Sequence, residues 1–133
     1  MKIQYLAAGF LALVTPTLGA EWDCARSGGP GHSGLRQIHR DFNRLFGEAR
    51  LTAVSGQKYC AVCSGLVFCW GNNHGVTVTE DANHRNIAAG TDPGSGSSCG
   101  LHVNPRGPGA FKHYIFARER DISFGGHNTI RRC

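Results

Sequence analysis

Apolar positions follow two different periods along this chain. Between residues 33 and 47 they recur every three to four positions, at Leu35, Ile38, Phe42, Leu45 and Phe46. That is one stripe of an amphipathic helix, with Ser33 placed to cap its start and Gly47 to end it. The runs Leu51 to Val54, Lys58 to Cys63 and Leu66 to Trp70 are instead short and β-rich, separated by Ser55-Gly56 and Ser64-Gly65 turns. Gly71-Asn72-Asn73-His74-Gly75 reads as a further turn, with Val76 to Thr79 as a strand beyond it. Upstream, Glu21-Trp22-Asp23-Cys24 is expected to be a short strand, and the stretch from Ser27 to Gly34 a loop. From Glu80 to Gly109 the pattern fades into a long loop whose one strand candidate is Leu101-His102-Val103.

The last strong pattern is Phe111 to Phe116. Alternation puts Phe111, His113 and Ile115 on one face and Lys112, Tyr114 and Phe116 on the other, with enough aromatic bulk on the second face to cover a helix. Pro108-Gly109-Ala110 leads in, Arg118-Glu119-Arg120-Asp121 makes a charged tip, and Ile122-Ser123-Phe124 returns toward His127. This predicts a closing β-hairpin. Together the elements predict an α+β domain, one N-terminal helix packed on a twisted antiparallel sheet of four to five strands.

Composition changes the picture at the N-terminus first. Met1-Lys2, the apolar run from Tyr5 to Val14, Pro16 and the small residues Leu18-Gly19-Ala20 match a secretory signal peptide over 1–20, too short to span a bilayer. The expectation is a secreted, soluble, monomeric domain over 21–133. Without Lys2 it carries 13 Lys and Arg against nine Asp and Glu, a modest positive excess that suits phosphate-bearing or acidic partners without requiring them. Its six cysteines, Cys24, Cys60, Cys63, Cys69, Cys99 and Cys133, are even in number and fit an oxidising compartment, with fifteen pairings open. A bridge between Cys24 and Cys133 would tie the two ends together, stabilising by about 4–5 kcal/mol in the chain-entropy model. Cys60-Ala61-Val62-Cys63 has metal or redox spacing, but no second Cys/His pair stands at finger spacing, so structural bridges are expected and no metal or cofactor.

Seven histidines in a short chain invite acid/base chemistry. His127 ends the returning strand and His113 lies on the neighbouring one, so a hairpin would set both on one sheet face, with Arg118 and Arg120 adding charge for a phosphodiester. His32, His39, His74, His84 and His102 read as surface or loop residues. Glu80, with Asp81 at the end of the Val76–Thr79 strand, is the best-placed general base. Arg36, Arg40 and Arg44 form a basic helix stripe, which is most simply a solvated face.

Those residues bear a family likeness. The strand from Lys112 to Phe116, the charged turn, His127 and a final cysteine resemble the closing hairpin of the small fungal guanyl-specific ribonucleases, and Gln57-Lys58-Tyr59 stands where that family has a His-Lys-Tyr. The resemblance implies a ribonuclease T1-like fold with an eroded catalytic set: glutamine replaces the first histidine, and the glutamate falls near Gly75, so Glu80 serves only after a shift. The phosphate-binding arginine falls on Lys112 or His113, and His127 alone matches clearly. Trp22-Asp23-Cys24 is similar to the aromatic-x-Cys start of the ribonuclease-like secreted effectors of powdery mildews. That likeness implies a first-to-last cysteine bridge and a fungal virulence protein delivered beside or into host cells. Such a protein binds host RNA or host protein, here through Lys58, Lys112, His113, Arg118, Arg120 and His127, and cuts only if His127 and Glu80 form an active guanyl-type site. A second resemblance, of Cys24-Ala25-Arg26-Ser27 and Gly56-Gln57-Lys58-Tyr59-Cys60, is to the KP4-type killer toxins, which implies an α/β sandwich and antifungal action.

Overall fold

A computed structural model describes residues 21–103 and 112–133. In chain order the elements are β1 (Asp23–Ser27), α1 (Gly31–Phe46), β2 (Thr52–Ala53), β3 (Gln57–Cys63), β4 (Leu66–Asn72), β5 (Val78–Thr79), α2 (His84–Gly90), β6 (Gly96–Leu101), β7 (Lys112–Arg118), a 3-10 turn (Glu119–Asp121) and β8 (His127–Arg132). The expected leader, residues 1–20, and the Pro108-Gly109-Ala110-Phe111 entry to the aromatic strand lie outside the described residues.

Helix α1 begins two residues before Ser33, directly after Pro30, whose ring holds φ at −80°. It ends at Gly47 in a left-handed conformation (φ 83°), where the Gly47 N–H donates to the Asn43 carbonyl at 2.7 Å. Leu35, Ile38 and Phe42 of the predicted stripe are fully buried. Strands β3 and β4 form a hairpin across Ser64-Gly65, both at positive φ (53° and 76°), the two-residue turn whose twist matches that of its strands. Alternation then sends Ala61, Phe68, Trp70, Tyr114 and Phe116 to the α1 side, where they build the main core with Leu35, Ile38 and Phe42. The expected division of β7 into a helix-facing pair, Tyr114 and Phe116, and an opposite face with His113 and Ile115 is what the register shows.

The closing hairpin does not form. The sheet has six strands, more than the four to five expected, in the order β1-β6-β7-β4-β3-β8, and β8 pairs in parallel with β3 while every other pair is antiparallel. The reason is edge availability. Both sides of β7 are occupied, by β4 and β6, so the last strand takes the open edge of β3. Residues 119–126 therefore act as a strap crossing β4 and β3 on the side away from the helices. Ile122 and Phe124 of the strap pack with Ile115 over Cys60, Val62, Val67 and Cys69, a second and smaller core.

The stretch expected to be one long loop holds two elements. Asp81 Oδ1 accepts the Asn83 N–H at 2.8 Å just before α2, and Gly90 closes it. Strand β6 follows within the Gly/Ser-rich run, pairing with β1 and β7. Helix α2 lies on the same side of the sheet as α1. Ala88 of α2 belongs to the main core, and the Trp22 indole N–H is shared between the Ala88 and Thr91 carbonyls at 3.2 and 2.9 Å.

All six cysteines are bridged, as Cys24–Cys99, Cys60–Cys69 and Cys63–Cys133. A Cys24–Cys133 bridge is ruled out by this arrangement. Strands β1 and β8 are the two opposite edges of the sheet, roughly 24 Å apart at about 4.8 Å per strand, whereas bridged Cα atoms lie within about 7 Å. The first two bridges join register partners on adjacent strands. The third fastens the C-terminal residue to the end of β3. Among the described residues no helix is long and apolar enough to cross a membrane.

Candidate functional site

On the face of the sheet opposite α1, the strap covers the apolar row of Cys60, Val62, Val67 and Cys69. Beyond the strap's edge runs a polar row of register partners: Asn128 on β8, Lys58 on β3, Gly71 on β4 and His113 on β7. Gly71 is what lets the row close up. A Cβ there would stand 2.9 Å from Lys58 Cγ and 3.1 Å from His113 Cε1, so the lysine stem and the imidazole converge over bare backbone. His102, just past β6, stacks on His113 with ring centroids 5.3 Å apart and planes 29° from parallel. Asn73 Nδ2 lies 3.0 Å from His113 Nδ1. With the amide donating there, the neutral imidazole carries its proton on Nε2.

This row gathers an ammonium, two imidazoles and two amides, Asn73 and Asn128, on one surface. His113 is largely buried while His102 is exposed, so the pair presents one anchored and one accessible ring. Chemically it can donate hydrogen bonds to an anionic group and stack against a flat one. The strap seals the neighbouring apolar row, leaving a void of only about 30 Å³ between Cys60, Cys69, Ile115 and Phe124.

Glu80, the expected general base, has another position and another partner set. Its side chain is fully buried on the helix side and is gripped in parallel by Arg85, with Nε to Oε2 at 3.0 Å and Nη2 to Oε1. The Tyr114 hydroxyl donates to Oε2 at 2.7 Å, and the Arg50 and Leu51 amides donate to Oε1 at 3.2 and 3.4 Å. Arg85 in turn donates to the Asn43 side chain and the Gly47 carbonyl, and lies 4.6 Å from the Phe42 ring centre. Every lone pair that a base would need is turned inward, so Glu80 joins α1, α2 and β7 and is not presented to a substrate. Burial, then the neighbouring Glu80 carboxylate, pushes the Tyr114 hydroxyl well above its ordinary range.

The remaining expected residues do not converge. His127 is exposed on β8, separated from β7 by β3 and β4. Its register partner Gln57 shares the parity of Tyr59, whose ring packs on Phe46 of α1, so the pleat turns His127 toward the helix side, away from His113. The single catalytic face expected for the two histidines is therefore not built. Arg118 ends β7, five residues from His113 and roughly 17 Å away, and Arg120 lies in the 3-10 turn beyond it. Arg118 is bound to Asp121 at 2.9 Å beside a wide cleft of about 540 Å³ that Glu119 and Arg120 share. There the Ser97 hydroxyl, and then Arg118, hold the Asp121 carboxyl below its ordinary value. Lys112 opens β7 opposite Asn72. A second cleft, about 510 Å³, lies at the end of α1 beside Glu48, Arg50 and Asn86 and is floored by the already saturated Arg85.

Of the expected binding residues, the structure brings Lys58 and His113 together, and adds His102, Asn73 and Gly71. His102 reads as a loop histidine because its neighbour across the sheet is 11 residues away in sequence. The signal for Gly71 was its place directly after the β-rich run Leu66–Trp70, which reads equally well as a turn. No family model, no curated protein and no solved structure matches the chain.

Proposed function

We propose that this chain is an exported effector-type protein that binds a host macromolecule, RNA first among the candidates, through the Lys58–His113–His102 row, and does not cut it. The observation that carries this reading is the position of Glu80. A nuclease of the expected kind needs a carboxylate base facing the histidine acid across the substrate. Here Glu80 is enclosed with Arg85 and Tyr114 on one side of the sheet while Lys58, His113 and His102 occupy the other. The carboxylates of Asp41, Glu119 and Asp121 are likewise held by arginines elsewhere. What the row supports is recognition by charge and ring stacking, which requires no base.

Fluorescence anisotropy with a labelled single-stranded RNA, alongside incubation with total RNA, tests the reading. The expected result is salt-sensitive binding, weakened in Lys58→Gln and His102→Ala, with the RNA left intact. Cleavage that vanishes in His127→Ala would overturn it in favour of an active ribonuclease. Tight binding to a protein with none to RNA would reassign the partner. A second reading draws on the two helices lying together on one side of the sheet, which suits the α/β sandwich of the killer-toxin-like alternative. Growth inhibition of fungi by the purified chain, without RNA binding, would favour that one.

A further inference from the structure

The three disulfides differ in what surrounds them. Cys60, Cys69 and Cys99 are 1–2 % exposed, and Cys24 Sγ lies against Gly96 and the Pro93 carbonyl. Cys63 is 3 % exposed, but its partner Cys133 is the exposed C-terminal residue. Arg44 Nη2 lies 3.1 Å from Cys133 Sγ and shares its charge with Asp41 Oδ1 at 2.9 Å, the Asp41 carboxylate standing within 4.8 Å of both sulfurs. A guanidinium at that distance favours the thiolate over the thiol, and a better thiolate is a better leaving group in exchange.

We propose that Cys63–Cys133 is a thiol-responsive latch that opens before the other two bridges and frees β8 and the strap. The reductant is a small monothiol of the glutathione class. Its thiolate attacks Sγ of the exposed Cys133, forming a mixed disulfide and releasing Cys63 as a thiolate that takes up a proton. A second thiolate attacks the outer sulfur of the mixed disulfide, and Cys133 leaves as a thiolate beside Arg44. Two thiols become one small disulfide, and the protein bridge gains two electrons and becomes two thiol groups.

The consequence follows from position. Strand β8 is an edge strand, held by its parallel ladder to β3, by the Cys133 N–H bond to the Val62 carbonyl at 3.1 Å, and by the exposed Arg131, which donates to the Leu45 carbonyl of α1 at 2.6 Å. The strap leads directly into it. Cys24–Cys99 and Cys60–Cys69 join strand pairs that do not involve β8, so they keep the rest of the sheet tied when the latch opens. Release of 122–133 uncovers Cys60, Val62 and Val67, the apolar row next to Lys58. A chain sealed in an oxidising medium would thus display a new apolar surface on reaching a reducing one. This inference stands whether or not the row binds RNA.

The test is stepwise reduction of the folded chain in glutathione buffers, alkylation of freed thiols and peptide mapping. Cys63 and Cys133 are expected to be alkylated at thiol concentrations at least tenfold below those that free the other four. Simultaneous opening, or earlier opening of Cys24–Cys99, would overturn the proposal. At the selective point, amide hydrogen exchange over residues 127–132 is expected to accelerate at least tenfold while residues 66–72 stay protected. Unchanged protection of 127–132 would show that the bridge holds nothing in place and would equally sink it. Arg44→Gln is expected to slow the second step, release of Cys133 from the mixed disulfide, several-fold, and an unchanged rate of that step would remove the part assigned to Arg44.

Discussion

The two faces of the central sheet solve different problems with similar residues. On the helix side a carboxylate, a guanidinium and a phenol are buried together, and each finds its complement: Glu80 receives donors from Arg85, Tyr114 and two backbone amides. On the opposite side an ammonium and two imidazoles are gathered at the rim of the strap, and the groups brought together are all donors or bases. The first arrangement closes on itself and ties three elements. The second is built from cations and rings, the groups that recognise an anionic or flat partner. The difference teaches that a titratable residue is assigned a role by what encloses it, since Glu80 is locked by Arg85 and Tyr114 while His113 stands beside Lys58, His102 and Asn73.

That contrast can be broken by exchanging the roles of the two faces. The largest effect is expected for Glu80→Ala, which leaves Arg85 as an unpaired buried cation and should cost about 3–5 kcal/mol in urea unfolding. Lys58→Ala, on the opposite face, should stay within about 0.5 kcal/mol. Equal costs would erase the distinction between a structural and a recognition face, and a Glu80→Ala protein of unchanged stability would reopen its candidacy as a base.

A middle-sized effect is expected at Gly71. Gly71→Val forces a branched side chain between Lys58 and His113, and should destabilise by about 1–3 kcal/mol by overpacking. It should also separate the two basic groups, lowering partner binding more than Lys58→Gln alone. Retained binding would mean that the row is not a unit.

The smallest effect is the pH dependence that His39 and Tyr114 carry on the helix face. His39 packs edge-on against Phe68. Burial first, and then Arg85 and Arg40, lower its pKa below the ordinary 6.5. The unfolded chain therefore takes up this proton first, and stability should fall as pH drops below about 6.5. Tyr114 works at the other limb: its folded-state pKa is raised, so its contribution is complete below about 10 and is lost as pH rises beyond that. Thermal unfolding across pH is expected to show a flatter acid limb in His39→Gln and a flatter alkaline limb in Tyr114→Phe.

Local pattern was enough for much of this protein. The spacing of Leu35, Ile38 and Phe42 marked the helix and its buried face, Ser64-Gly65 marked the β3–β4 turn, and alternation assigned Tyr114 and Phe116 to the core and His113 to the other side, because each depends only on residues a few positions apart. The tertiary structure alone decided which strand β8 joins, since that turned on β7 already having two neighbours, and with it the separation of His127 from His113. It alone decided the pairing of Cys133 with Cys63, the capture of Glu80 by Arg85, and the meeting of Lys58 and His113 over Gly71. Those outcomes depend on which edges and faces remain open once the rest of the chain has packed, a quantity that no short window of sequence contains.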